Sequence, residues 1–225
     1  MKRRIFIYII ENSILYARKN MNEEFSMSKI VKIAMLFVTI TATFSFASAY
    51  GFRAGFSLYD YSSGISETDK YVKIGYGFGG GLVTTVSLTS KLSFVSELNF
   101  LYRKPVILSA SEDGHKEEVH IAEIAISIPI MFQLALAEGI PYLAAGVQID
   151  SPISPKATVK SDGEEKTVDA NGRVSTDFGI VLGVGYLVTP NVGVDARAVI
   201  GLTSPFKSQD DGGLNQYGAG LTYYF

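Results

Sequence analysis

Apolar and polar residues alternate along the chain from position 50 to its last residue. In the final segment every second residue is apolar, and small or polar residues occupy the positions between them. A two-residue period is typical of strands with one apolar face. Several segments are also long enough to cross a membrane as strands. The alternation predicts eight strands, over residues 50–59, 72–87, 92–103, 119–134, 142–150, 176–188 and 192–202 and in the C-terminal segment.

The connections between these predicted strands alternate in length. Short links fall at 88–91, 136–139 and 189–191, and long polar ones at 60–71, 104–118, 151–173 and 203–213. Short periplasmic turns and long extracellular loops are characteristic of outer-membrane barrels, and an even number of strands suits closure of such a barrel. A soluble two-sheet protein, the alternative, has no reason to keep this alternation. The predicted fold class is all-β: an eight-stranded, antiparallel, up-and-down transmembrane β-barrel.

Aromatic residues on the apolar face gather near both ends of the predicted strands. Near the periplasmic rim we expect Phe52, Phe94, Phe132, Tyr186, Tyr223 and Phe225, and near the outer rim Tyr76, Phe100, Tyr102 and Phe178. Two such bands are expected of aromatic girdles at the membrane interfaces. Because the last strand must close the barrel, we also predict that Tyr223 and Phe225 act as a C-terminal assembly signal.

The N-terminal segment has the organisation of a secretory signal peptide over residues 27–49. Lys29 and Lys32 supply positive charge, an apolar run covers 33–46, and Ala47 and Ala49 form an A-x-A cleavage site. An uncleaved membrane anchor is the alternative, but this run is shorter than the roughly 20 residues of a spanning helix. Residues 1–26 are predicted to be an upstream extension of the gene model or an extended leader. The mature barrel domain is then 50–225.

The composition of the chain argues against some kinds of function and indicates none directly. The chain has 225 residues, a formal net charge of −2 and no cysteine. This near-neutral charge argues against a dedicated nucleic-acid-binding protein, which would show a basic stripe, so no nucleic-acid partner is predicted. Without cysteine, the chain has neither disulfides nor thiolate metal sites.

Charged residues also occur on the polar face that the strands would turn inward. They are Arg53, Lys73, Glu97, Arg103, Glu123, Asp177, Asp195 and Arg197. Counting from the turns places them in two layers of mixed sign. An eight-stranded barrel has an interior that side chains about fill, and buried charges of opposite sign should pair. The predicted lumen is closed by a salt-bridge network, and a polar conduit or gate is the alternative. Inward glycines at 75, 77, 79 and 81 either leave local space or permit the strands to coil.

Few residues of the chain are candidates for a catalytic or metal-binding site. His115 and His120 lie in or beside the second long loop, with serines and acidic residues nearby, so a His–Ser–acid site or a metal site with Glu118 is conceivable. Two histidines in a polar loop are more often solvated residues. The acidic residues of the other loops would bind divalent cations, a cationic partner, or only water. We predict no catalytic, cofactor-binding or metal-binding residue, and no enzymatic activity.

Several short segments resemble one known family. The resemblance lies in ISIPIM at 126–131, PYLAAG at 141–146, DFGI at 177–180, GVGY at 183–186, VDAR at 194–197 and GLT at 201–203. Together these segments resemble the outer-membrane β-barrel domain family of Gram-negative bacteria, often labelled porin family proteins. The resemblance spans essentially the whole mature chain and implies the barrel fold, but it implies no particular activity and no open pore.

The expected function is a structural or surface-interaction role in the cell outer membrane. The leading alternative is a narrow porin-like channel for small solutes, followed by a lipid or peptide hydrolase at the outer rim. We expect a monomer that contacts outer-membrane lipid, lipopolysaccharide and the barrel-assembly machinery.

Overall fold

The computed structural model describes residues 49–63, 72–112, 115–136, 141–161, 164–170, 174–203 and 212–225. The predicted upstream leader, and the predicted signal peptide except for Ala49, lie outside these residues. Among the residues described, no helix is long and apolar enough to span a membrane. The strands are β1 (Ala49–Ser63), β2 (Val72–Ser87), β3 (Leu92–Glu112), β4 (His115–Ala135), β5 (Pro141–Pro152), β6 (Lys156–Ser161), β7 (Glu164–Asp169), β8 (Asp177–Thr189), β9 (Val192–Gly201) and β10 (Gly212–Tyr224).

Eight of these strands close an antiparallel barrel, which confirms the predicted fold class. Their order around the barrel is β1, β2, β3, β4, β5, β8, β9 and β10. The last strand returns to the first, with Phe52 opposite Tyr223 and Leu58 opposite Tyr217. Closure leaves no unpaired edge among the barrel strands, so every barrel strand has a neighbour on both sides.

The alternation predicted from the sequence separates two environments. Large apolar side chains point outward and are about half exposed, such as Phe78 at 57%, Leu182 at 47% and Val184 at 55%. The interior holds a small apolar cluster of Val83, Val95, Met131, Ala144, Val181 and Val199, with Tyr142 and Tyr224 packed against it. An apolar outer surface of this kind suits contact with lipid rather than with water.

The predicted loop 104–118 is wrong, because β3 and β4 continue through it as a paired hairpin. The register runs to Glu112 opposite His115 and shifts once between Arg103 and Val106. Pro105 lies at this shift, and a proline at a bulge costs the ladder little because it has no N–H to donate. Beyond the membrane both faces of a strand meet water, so apolar–polar alternation fades while backbone pairing continues.

The predicted loop 151–173 is also wrong, since it contains the hairpin of β6 and β7. Strand β6 pairs with the outer part of β4, with Val159 opposite Val119, and β7 pairs with β6. The sequence carried a signal for this hairpin, because an Asp-Gly pair between two alternating segments is typical of a tight hairpin turn. Outer parts of β3 and β4 together with β6 and β7 form a four-stranded sheet beyond the barrel, which we call the outer sheet.

The short links at 88–91 and 189–191 are confirmed as turns between β2 and β3 and between β8 and β9. In the first turn the Thr89 hydroxyl accepts hydrogen bonds from the backbone N–H of Lys91 and Leu92. The other predicted links fall largely outside the described residues. Both turns lie at the same end of the barrel, which we take as the periplasmic end.

Candidate functional site

The predicted inward charges lie inside the barrel wherever their side chains are described. Glu97, Arg103, Glu123, Asp177 and Asp195 are each less than a tenth exposed. Arg53 and Arg197 are half-buried beside them. Each lies at an inward position of the two-residue repeat of its strand. The eighth predicted residue, Lys73, pairs through its backbone with Ile107, and its side chain lies outside the described ones.

Four of these residues meet in what we call the periplasmic cluster: Arg53, Glu97, Asp195 and Arg197. The Arg53 guanidinium donates from Nε and Nη2 to Asp195, at 3.1 and 2.7 Å. Arg197 Nε lies 2.8 Å from Asp195 Oδ1, and Arg197 Nη2 donates to Glu97 Oε1 at 2.7 Å. Asn99 Nδ2 donates to the second oxygen of Glu97 at 2.9 Å. Two cations and two carboxylates therefore balance in a chain of contacts.

A second group, the outer cluster, surrounds Arg103 with three carboxylates. Nε donates to Glu123 at 2.5 Å, Nη1 to Asp150 at 2.9 Å and Nη2 to Asp177 at 3.0 Å. The Tyr59 ring covers the guanidinium, with its centroid 5.8 Å from Cζ. Arg103 is fully buried. Each donor group of this arginine thus has its own acidic partner, contributed by β4, β5 or β8.

The network predicted from the sequence omits Asp150, although the same alternation points to it. Gly146 and Gln148 lie on the inward face of β5, and Asp150 is the next inward residue of that strand. A chain of neutral side chains starts there, because Gln148 Nε2 donates to Asp150 and to Gln216 Oε1, at 3.1 and 3.0 Å. Gln216 Nε2 in turn donates to the Ser57 hydroxyl at 2.9 Å. Polar contacts therefore extend from the outer cluster toward the middle of the lumen.

Inward glycines make room for large side chains or for neighbouring backbone. A Cβ on Gly220 would lie 2.2 Å from Arg53 Nη2, and one on Gly185 would lie 2.1 Å from the Tyr142 ring. At Gly79 and Gly81 the obstacle is instead a carbonyl oxygen of β3, at 2.2 and 1.9 Å. Gly79 and Gly81 therefore permit close approach of β3, and Gly79 also borders a cavity.

Between the two clusters lies a cavity of about 30 Å³. Its polar lining includes Ser57, Asn99, Ser127, Gln148 and Gln216. A volume of this size accommodates about two water molecules. It is far smaller than the path that a dissolved sugar or amino acid requires.

Both histidines lie on strand β4. His120 lies on β4, opposite Ile107 on one side and Thr158 on the other. His115 pairs through its backbone with Glu112, and its side chain lies outside the described ones. Within the described ranges, no three His, Asp or Glu side chains converge closely enough to hold a metal ion.

The C-terminal residues are fixed at the periplasmic end. Asn191, in the turn between β8 and β9, donates from Nδ2 to Tyr224 O at 2.8 Å. The Tyr224 and Phe225 N–H groups donate to the carbonyls of Asn191 and Tyr50, at 2.7 and 3.0 Å. Tyr223 is 53% exposed and Phe225 is 71% exposed on the outer surface. Both predicted assembly-signal side chains are thus accessible from outside the barrel.

Comparison with known proteins gives one family match and several similar folds. A model of the family described as outer membrane protein beta-barrel domain matches residues 45–207. No curated protein matches the chain. Neisserial surface protein A (NspA) is 16% identical over 78% of this chain and 97% of its own, with a TM-score of 0.47. Ail of Yersinia pestis is 15% identical over 79% and 98%, with a TM-score of 0.45. OprG of Pseudomonas aeruginosa is 13% identical over 80% and 96%, with a TM-score of 0.42.

Proposed function

Because this chain belongs to the outer membrane protein beta-barrel domain family, we propose that it is a non-catalytic scaffold that presents a surface for interaction outside the cell. It is a β-barrel of the bacterial outer membrane. The outer sheet is the observation that carries this proposal. Strand β3 continues for nine residues beyond Arg103, to Glu112. Nine residues of strand extend about 30 Å, which is the length of β3 beyond the outer cluster.

The outer sheet has the character of a display surface. On its β6–β7 hairpin, the hydroxyls of Thr158 and Thr167 lie 3.0 Å apart, and Lys160 Nζ lies 3.1 Å from Glu165 Oε2. These are exposed polar contacts, worth little individually to stability. Regular pairing gives this surface a fixed shape, which a flexible loop lacks. A fixed shape lowers the entropy cost of binding a partner.

The second part of the proposal is that the lumen is closed. The two charge clusters and the apolar cluster occupy the interior, and the cavity between them holds only about 30 Å³. Buried, mutually paired charges resist rearrangement, since each ion that leaves its partner remains desolvated. A narrow channel is the second candidate, favoured by the polar lining of that cavity and by the chain of contacts from Asp150 to Ser57.

The proposed partners follow from the outer surface of the barrel. The half-exposed apolar belt suits outer-membrane lipid and the acyl chains of lipopolysaccharide. The exposed Tyr223 and Phe225 suit recognition by the barrel-assembly machinery. A monomer is proposed because the barrel strands have no free edge for pairing with a second copy.

Two measurements test the two parts of this proposal. Planar-bilayer recordings of the purified protein should give no unitary conductance steps at neutral pH and moderate voltage. Separately, cells that lack the protein should be complemented for surface attachment by the full chain, and not by a variant in which residues 156–169 are replaced by a short turn. Folded yield of that variant is checked by its heat-modifiable mobility on a gel.

Each part fails on its own result. Regular conductance steps would replace the closed lumen with the channel. Equal attachment by the shortened variant and the full chain would remove the role of the outer sheet.

A further inference from the structure

Strand β7 forms one edge of the outer sheet. It pairs with β6 along its whole length, Glu164–Asp169. It is last in the order of strands, and among the described residues no strand lies on its other side. Alternate residues of such an edge direct their N–H and C=O groups away from the sheet. These groups are available to pair with an added extended chain, as in β-strand addition.

The side chains along this edge are accessible. Lys166, Thr167 and Asp169 are exposed. Glu165 is 55% exposed, although its carboxylate contacts Lys160 of β6. Because the outer sheet lies beyond the barrel, a partner outside the cell can reach this edge without entering the membrane.

The charge of β7 restricts what can pair with it. The strand contains three acidic residues and one lysine. Two copies of β7 placed side by side would bring like charges together, which destabilises strand pairing. Charged residues on an edge strand commonly prevent self-association in this way. The edge therefore favours a basic partner over a second copy of this chain.

The register between β6 and β7 shows which side chains suit this edge. Strand β6 places lysines opposite Glu165 and Asp169, and a threonine opposite Thr167. These three residues of β7 share one face, because side chains alternate along a strand. Oppositely charged pairs and Thr–Thr pairs across strands are favourable. A chain added at the free edge meets the same three residues, so cationic residues on either side of a threonine, at alternate positions, would match them.

We propose that the free edge of β7 binds an extended basic segment of another protein by antiparallel β-strand addition, with cationic side chains opposite Glu165 and Asp169. Main-chain hydrogen bonds supply the affinity, and the cationic residues supply the selectivity. The antiparallel direction is chosen because its pairing is slightly more stable per residue. This inference rests on the proposed surface role and deepens it, since it names the binding edge and the chemistry of the partner.

The test titrates a fluorescent synthetic peptide with the purified protein in zwitterionic detergent, followed by fluorescence anisotropy. The peptide has the core KVTEK, which in the antiparallel direction places its lysines opposite Asp169 and Glu165 and its glutamate opposite Lys166. Saturable binding is expected. A peptide with the core EVTKE reverses every charge and should bind roughly tenfold more weakly.

Matched variants of the protein locate the binding edge. Glu165→Gln combined with Asp169→Asn removes both charges at nearly constant shape and should weaken binding of the KVTEK peptide by roughly 3- to 10-fold. Asp60→Asn removes one exposed acid from β1 and should leave binding unchanged. A double variant that binds as tightly as the wild-type protein would overturn the proposal.

N-methylation of the peptide separates strand pairing from attraction between charges, and it requires no variant of the protein. Methyl groups on one set of alternate backbone nitrogens should abolish binding, and methyl groups on the other set should be tolerated. Binding that survives both methylations would overturn β-strand addition. Equal binding of the KVTEK and EVTKE peptides, or no saturable binding of either, would overturn it as well.

The surface role and its binding edge fail on different results. If replacement of residues 156–169 abolishes attachment but the KVTEK peptide does not bind, the surface role stands and the β7 edge is not its site. If the peptide binds but attachment survives the replacement, the edge binds basic strands and the role in attachment is removed.

Discussion

The two charge clusters of the lumen pair their buried charges in different ways. In the periplasmic cluster Asp195 contacts both Arg53 and Arg197, and Arg197 also contacts Glu97. In the outer cluster Arg103 is the one cation that the described side chains bring to all three carboxylates, and Asp150 also accepts from Gln148. Both clusters are buried in the same barrel and built on the same alternation. The difference lies in redundancy: one is a balanced chain, and the other is a hub with excess negative charge.

This difference teaches that burial of charge does not by itself define a role. A balanced chain needs nothing more and suits a structural plug. A hub in which three carboxylates share Arg103 as their described cation is more sensitive to the loss of that cation. The periplasmic cluster should therefore tolerate the loss of one ion pair better than the outer cluster does.

The largest effect should come from removing the hub. Arg103→Met keeps much of the side-chain volume and leaves three buried carboxylates without their cation, which should cost about 3–5 kcal/mol of unfolding free energy or prevent folding. Arg53→Met in the periplasmic cluster should cost less, about 1.5–3 kcal/mol, because Asp195 keeps Arg197. Urea unfolding in lipid vesicles, followed by gel mobility, measures both. An Arg53→Met cost equal to that of Arg103→Met would remove the distinction between hub and chain.

A second prediction tests the alternation that places both clusters inward. Leu182 is 47% exposed on the outer surface and follows the fully buried Val181. Leu182→Arg should cost roughly 2–4 kcal/mol if the residue lies near the middle of the membrane. Leu202, 60% exposed and just beyond the end of β9, serves as the control, since Leu202→Arg near the interface should cost at most about 1 kcal/mol. Equal costs would mean that the assumed membrane position is wrong.

The barrel itself could be predicted because one physical rule governs it. Lipid outside and a filled interior impose alternation on every spanning strand, and that rule also identifies the inward charges. The rule stops at the membrane surface. There the strands of the outer sheet pair through their backbones, which depends little on side-chain alternation, so the pattern predicts 104–118 as a loop.

The partners within the lumen were harder to predict than the residues that face it. Which acid meets which arginine depends on the stagger between strands and on the bulge beside Arg103, and neither is set by the two-residue period. Asp150 was missed because it lies at the predicted end of its strand, where the pattern runs into loop residues. Asp150 meets Arg103 because β5 lies between β4 and β8 in the barrel.

A third prediction concerns the space that the periplasmic cluster requires. Gly220→Ala would place a methyl group 2.2 Å from Arg53 Nη2, so the guanidinium must shift and its contacts with Asp195 should weaken. Overpacking of this kind should cost about 1–3 kcal/mol. In an Arg53→Met background the same Gly220→Ala change should cost much less, because the flexible thioether can move aside. Additive costs in this double-mutant cycle would show that Gly220 acts through something other than Arg53.

The smallest expected effect belongs to Glu123→Gln in the outer cluster. It is compared with the same Glu→Gln change at Glu97 in the periplasmic cluster, and this pair tests the difference between the clusters directly. Glu97→Gln turns a balanced chain into one with excess positive charge and weakens charged hydrogen bonds to Arg197 and Asn99, at an expected cost of about 1.5–3 kcal/mol. Glu123→Gln relieves an excess of negative charge and keeps an amide oxygen for Arg103, so its cost should stay within about 1 kcal/mol. Both are measured by urea unfolding in lipid vesicles. A Glu123→Gln cost equal to or above that of Glu97→Gln would mean that a group outside the four side chains balances the outer cluster, and the contrast between chain and hub would not hold.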